Sequence, residues 1–142
     1  RLDILVYSVS WFNLPLLDAQ GQDGNALFSA AEHRFGIHGG DIETSMMLAL
    51  DPKHVDMAQA RNFASASQAR AGRFDILGNG KSAKLGWQTQ DYNPSGAVGD
   101  AANASAEKGQ ALVAAAGRAL AKLLLEVDRL PADTLMSRPA LG

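Results

Sequence analysis

The sequence predicts an α/β fold of which this chain supplies only a part, and three observations lead there. Leu2 to Phe12 is rich in β-branched and aromatic residues, with apolar neighbours on both faces, as in a strand buried in the middle of a sheet. Ser105 to Leu130 carries a single apolar stripe at helical spacing. Strand candidates are few beside the helices, so part of the sheet is expected to lie elsewhere.

The composition is that of one ordinary domain. Its 142 residues are 46% hydrophobic and 20% charged, which argues against wholesale disorder. Lys+Arg 13 against Asp+Glu 15 leaves a formal charge of −2, too weak a field to favour nucleic acid or an anionic membrane. With no cysteine, a disulfide scaffold, a thiolate metal site and a Cys nucleophile are excluded for these residues. No stretch approaches the roughly 20 apolar residues that span a bilayer, and a cytoplasmic location is expected. Arg1 leads straight into the first strand with no initiator Met, and reads as a cut end.

After that strand, residues 13 to 30 hold Pro15, Gly21 and Gly24 in a polar loop, with a helical turn expected near Leu27 to Glu32. Ile42, Met46, Ala49 and Leu50 sit at helical spacing, so a helix is expected to begin near Gly40 or Asp41 and to end at Pro52. Asp56 to Arg61 suits another short turn, and Ser65 to Gly72 reads as a loop. Phe74 to Leu77 and Ala83 to Trp87 flank Asn79-Gly80 and resemble a hairpin, because Asn-Gly tolerates the positive φ of a type I′ turn. Gln88 to Gly99 should be ordered but irregular. In the last helix Leu112, Ala116, Leu120, Leu123, Val127 and Leu130 form the stripe, Ser105 is its N-cap, Glu107 lies in the first turn and Pro131 stops it. One unit is therefore expected over 1–130, followed by a loose tail over 131–142.

The chemistry concentrates at Phe35-Gly36-Ile37-His38-Gly39-Gly40-Asp41-Ile42-Glu43. Glycines before a helix start let the backbone approach a ligand and expose N–H groups there. His38 lies just before that start and Glu43 in the first turn, which suits a proton-transferring His beside a carboxylate. A structural or solvated His38 and a capping Glu43 are the alternatives. Trp11, at the carboxyl end of the first strand, could close over a substrate or simply pack. Trp87 to Gly96 could meet substrate or a neighbouring subunit. His33 and His54 read as surface residues, and Met46 and Met47 as core filler. Lys81 and Lys84 lack P-loop spacing, and no G-x-S-x-G elbow is present.

His38-Gly39-Gly40-Asp41-Ile42-Glu43-Thr44-Ser45-Met46-Met47-Leu48 resembles the His-[Ala/Gly]-Gly-x-x-Glu-Thr-Ser-x-Met-Leu signature of the creatininase (creatinine amidohydrolase) family. Pro52 and Val55 match the Pro-x-x-Val that follows it. Gln90-Asp91 through Ser95-Gly96 resemble the family's Gln-Asp-x-Asn-Pro-Ser-Gly loop, and Ala106-Glu107-Lys108-Gly109 the start of its last helix. The similarity runs from Leu2 to about Leu130 and covers the second half of such a protein.

The resemblance implies a three-layer α/β/α domain that hydrolyses amide-type C–N bonds and assembles as oligomers, often hexamers. It implies divalent metal ions (zinc, manganese or iron) held by Glu-x-His, Asp and further ligands of a first half absent here, so no metal ligand is assigned in this chain. His38 would be the proton-transfer residue, Glu43 the carboxylate of the motif, and Trp11, Gly39 and Gly40 would contact substrate. The expected partners are a small-molecule amide, the N-terminal half and further copies of the chain. Ile37 stands where creatininase itself has Glu, which points away from creatinine as substrate and leaves cyclic amides, formamides and peptide bonds. A non-catalytic anion-binding or oligomer-assembly module is the alternative from another class.

Overall fold

The computed structural model describes residues 4–131 and 133–135. Helices α1 (Ala30–Phe35), α2 (Asp41–Leu50), α3 (Ala66–Ala71) and α4 (Ala106–Asp128) are joined by short 3₁₀ turns, and β1 (Asn62–Phe63) pairs antiparallel with β2 (Gly99–Asp100). The architecture is thus mixed helix and strand, with a small two-stranded sheet among the described residues. No helix among them is long and apolar enough to cross a membrane.

Helix ends follow local chemistry. Ser29 Oγ accepts the Glu32 N–H, Ser65 Oγ the Ser67 N–H and Ser105 Oγ the Lys108 N–H, each satisfying a donor left over in a first turn. Hydrogen bonds from its own backbone N–H and from Ser105 hold the Glu107 carboxyl below the usual carboxylate range. A depressed carboxylate favours the fold above its unfolded pKa, and this contribution fades as pH falls through the folded value.

The core is built where α4 meets α2 and the turns before α1. Leu16, Phe28, Leu112 and Ala115 are buried together, with Trp11, Leu14, Ile42, Met46 and Ala116 packed around them. Helices α2 and α4 touch backbone to backbone. A Cβ on Gly109 would fall inside the van der Waals shell of the Ser45 carbonyl oxygen, so only glycine permits this approach.

Several expectations are corrected. The strand expected over Leu2–Phe12 is not formed over residues 4–12; Leu2 and Asp3 lie outside the described residues. Ile4, Val6, Tyr7 and Val9 have no ladder partner and stand exposed, and Trp11–Asn13 turn into a 3₁₀ helix. A strand patterned for burial on both faces needs neighbours, and the described residues provide none. The expected hairpin over Phe74–Trp87 is also absent: the chain makes turns there without pairing, and Phe74, Ile76, Leu77, Leu85 and Trp87 are exposed. Asn79 instead uses its side chain to accept from Lys81 and Ser82 N–H. Ser65 to Gly72 contains α3 rather than a plain loop, because Ser65 caps it. In α4 the covered face is Leu112, Ala115 and Ala119, whereas Leu120 of the expected stripe is exposed. The tail expected over 131–142 lies largely outside the described residues.

The close α2–α4 approach yields a paired prediction. Gly109→Ala should destabilise the full-length protein by about 1–3 kcal/mol through overpacking. Gly117→Ala, with open space around it on the same helix, should stabilise by about 0.5–1 kcal/mol. Thermal or denaturant melts check this; equal shifts would contradict the contact.

Candidate active site

The site is assembled at the start of α2. Residues 36–38 approach it as an extended segment that pairs with Val98: Ile37 N–H donates to Val98 O at 2.8 Å, and Val98 N–H donates to His38 O at 2.7 Å. Gly39 then turns with φ +65°, a left-handed conformation that a side chain would strain, and Gly40 caps the helix.

This turn folds His38 back towards Glu43. His38 Nδ1 lies 3.2 Å from Glu43 Oε2, and the same oxygen accepts the Gly39 N–H at 2.6 Å. One carboxylate thereby fixes both the loop and the imidazole side facing it. The two side chains are 66% and 51% exposed, so the pair is open to solvent and to ligands. His38 and Glu43 border two cavities. One, of about 390 Å³, is lined by Trp11, Asn25, Glu32, His33 and Gly40 as well; the other, of about 360 Å³, by Met47, His54, Gln59 and Phe63.

Beneath the turn, polar side chains bind α2 to its surroundings. Lys108 Nζ donates to both Asp41 carboxylate oxygens at 2.6 Å, and Ser45 Oγ donates to Asp41 Oδ1 at 3.0 Å. Ser45 Oγ in turn accepts the Ser105 N–H at 3.1 Å. Asp41 and Ser45 are buried, and a buried charge of this kind is tolerated only when paired and hydrogen-bonded. Glu32, also buried, accepts the Asp100 N–H at 2.9 Å.

The family model for creatininase (creatinine amidohydrolase) matches residues 8–124, most of the chain. The chain belongs to the creatininase family. Among solved structures it is similar to the "Putative creatinine amidohydrolase from Bacteroides fragilis NCTC 9343", at 26% identity and a TM-score of 0.57. That match covers 78% of this chain and 43% of the other, so the chain spans less than half the length of this relative. No curated protein matches.

Within this creatininase-family chain the signature residues converge as follows. His38, Gly39 and Glu43 are in direct contact, and Gly40 borders the same cavity as Trp11. Trp11 sits in a 3₁₀ turn rather than at a strand end, and packs on the core with one side. The N–H groups expected to stand free at the helix start are partly engaged: Gly39 N–H by Glu43, and Ile42 N–H by Glu32 at 3.4 Å. Of the Trp87–Gly96 loop, Trp87 and Tyr92 line a separate cavity with Arg34, Arg70 and Lys84, while its end leads into Val98, the residue paired with His38. His33 is anchored, its Nε2 2.8 Å from Asn25 O.

His54 is the surface residue the sequence suggests but also lines a cavity, and the sequence does not single out Glu32 at all. His54 borders the 360 Å³ cavity with His38, and its Nδ1 lies 2.7 Å from Asp51 Oδ2. Glu32, which the sequence marks only as the end of a helical turn, is buried. Its signal was present in the glycines at 36, 40 and 99, which leave room for a carboxylate, though spacing alone does not link positions so far apart.

The Asp41–Lys108 pair gives a second prediction. Lys108→Met should cost about 3 kcal/mol of stability by leaving the Asp41 carboxylate buried without its cation. Asp41→Asn in that background should recover about 1 kcal/mol or more. Additive losses in denaturant melts would show that the two groups do not interact.

Proposed function

We propose that this chain carries the His38-bearing portion of an amidohydrolase that cleaves an amide-type C–N bond in a cyclic amide or a formamide. The observation that carries this reading is the His38 Nδ1–Glu43 contact at 3.2 Å beside two cavities, one of them bordered by Trp11. Glu43 favours a proton on Nδ1, and Nε2 is then the nitrogen available for transfer. Water attacks the carbonyl carbon, the C–N bond breaks, and Nε2 of His38 relays a proton to the leaving nitrogen. Trp11 and the Gly39–Gly40 backbone form the wall against which the substrate rests.

A divalent metal (zinc, manganese or iron) enters only through the family. Among the described residues no three His, Asp or Glu side chains converge as ligands would. The ligands are assigned to the N-terminal half, as is the remainder of a three-layer α/β/α sheet. The exposed Ile4, Val6 and Val9 support that assignment, as residues patterned for burial that lack cover. A homo-oligomer, hexameric as in the family, and a cytoplasmic location complete the proposal.

The anion-binding alternative is disfavoured by charge. Glu32, Asp41 and Glu43 crowd the start of α2; Glu32 already engages the Ile42 N–H and Glu43 the Gly39 N–H just before the helix. An incoming anion would meet carboxylates before free donors.

The test is hydrolysis of cyclic amides and formamides by the full-length, metal-loaded protein. His38→Ala should lower kcat about 10²–10⁴-fold; Trp11→Ala should chiefly raise KM. Full activity in His38→Ala would remove His38 from the mechanism.

A further inference from the structure

The Glu32 carboxylate is buried, and among the described residues no cation pairs with it. Its surroundings are unusual. Oε2 accepts the Asp100 N–H at 2.9 Å, and Oε1 lies 3.4 Å from the Ile42 N–H. Its own carbonyl accepts the Gly36 N–H at 2.8 Å. A Cβ on Gly36 or Gly99 would come within 3.0 Å of the carboxylate, and one on Gly40 would overlap Oε1. Gly99, at φ +143°, also brings its backbone against Gly40. Three glycines therefore form a shell fitted to one carboxylate.

The segments this shell joins are those that seat His38. Asp100 follows Val98, the residue paired with His38, and Ile42 follows Gly40 in the first turn of α2. The carboxylate ties the strand on one side of His38 to the helix on the other. It also borders the cavity shared by Trp11, His38 and Glu43.

We propose that Glu32 is a positioning residue for His38, its buried carboxylate clamping the Val98–Asp100 strand to the start of α2 and so fixing the His38–Glu43 pair. This rests on the hydrolase reading only for its effect on rate. Glu32 does not touch the reacting atoms. Proton transfer tolerates only small errors of geometry, and a displacement of about 1 Å costs on the order of 100-fold in rate. Glu32→Gln keeps the size but turns an amide N–H₂ towards backbone donors inside a shell with no room to rotate.

The experiment uses the full-length protein with Glu32→Gln and, in parallel, with Glu32→Asp, which keeps the carboxylate but draws it back by one methylene. The ring resonances of His38, assigned by loss in His38→Ala, are recorded together with kcat and KM. The expected result is displaced His38 ring resonances and a fall in kcat of about 10–100-fold, with KM within about threefold and rescue in Glu32→Asp smaller than complete. Unmoved His38 resonances, or a kcat equal to wild type alongside a lowered Tm, would overturn the proposal and leave Glu32 a fold-stabilising residue. Because the resonances report geometry without turnover, a wild-type protein that hydrolyses no amide would remove the hydrolase reading alone.

Discussion

The rest of the structure depends on the contact between Gly109 of α4 and the Ser45 carbonyl of α2. With no side chain between them, the two backbones meet, and Ser45 Oγ can reach the Ser105 N–H at the head of α4. That approach brings Lys108, one residue before Gly109, over Asp41 at the first position of α2. The position of α2's first turn is thereby set from α4, and with it the place where the chain preceding the turn must end. Hydrophobic burial does much of the holding, through Leu112, Ala115, Ile42 and Met46, but it is non-directional. The glycine contact and the ion pair supply the register.

From that fixed point the site follows by short steps. Asp41 marks where the helix begins, Gly40 and Gly39 turn the chain, and His38 is left at the end of a segment paired with Val98. Glu43, one turn into α2, returns to meet both Gly39 N–H and His38. A carboxylate in the first turn is already favoured by the helix dipole. Here it serves as the second anchor of an exposed imidazole, whose own burial is too slight to hold it.

Local signals were legible in the sequence, and distant ones were not. The Ser105 cap, the start of α2 after Gly40, its end before Pro52 and the proximity of His38 to Glu43 are all properties of neighbours within a few residues. The family signature lies in that same stretch. By contrast, the pairing of Asp41 with Lys108 and the shell of Gly36, Gly40 and Gly99 around Glu32 join positions far apart in the chain. The strand expected over Leu2–Phe12 fails for a related reason. Its pattern reports burial on two faces, which is a property of a sheet, and the described residues hold no strand to pair with it. The hairpin expected around Asn79-Gly80 fails because that asparagine closes its turn with its own side chain, and the flanking apolar residues stay exposed, Trp87 meeting Tyr92 edge-on instead of a partner strand.

Glu43 meets the imidazole of His38 on its Nδ1 side, which leaves Nε2 for the proton transfer we propose. Nitrogen NMR of the histidine rings in the full-length protein, at a pH where His38 is neutral, measures this directly. The expected tautomer has its proton on Nδ1 and a bare Nε2, a state that reverts towards a mixture in Glu43→Gln. A proton found on Nε2 in the wild-type protein would contradict it.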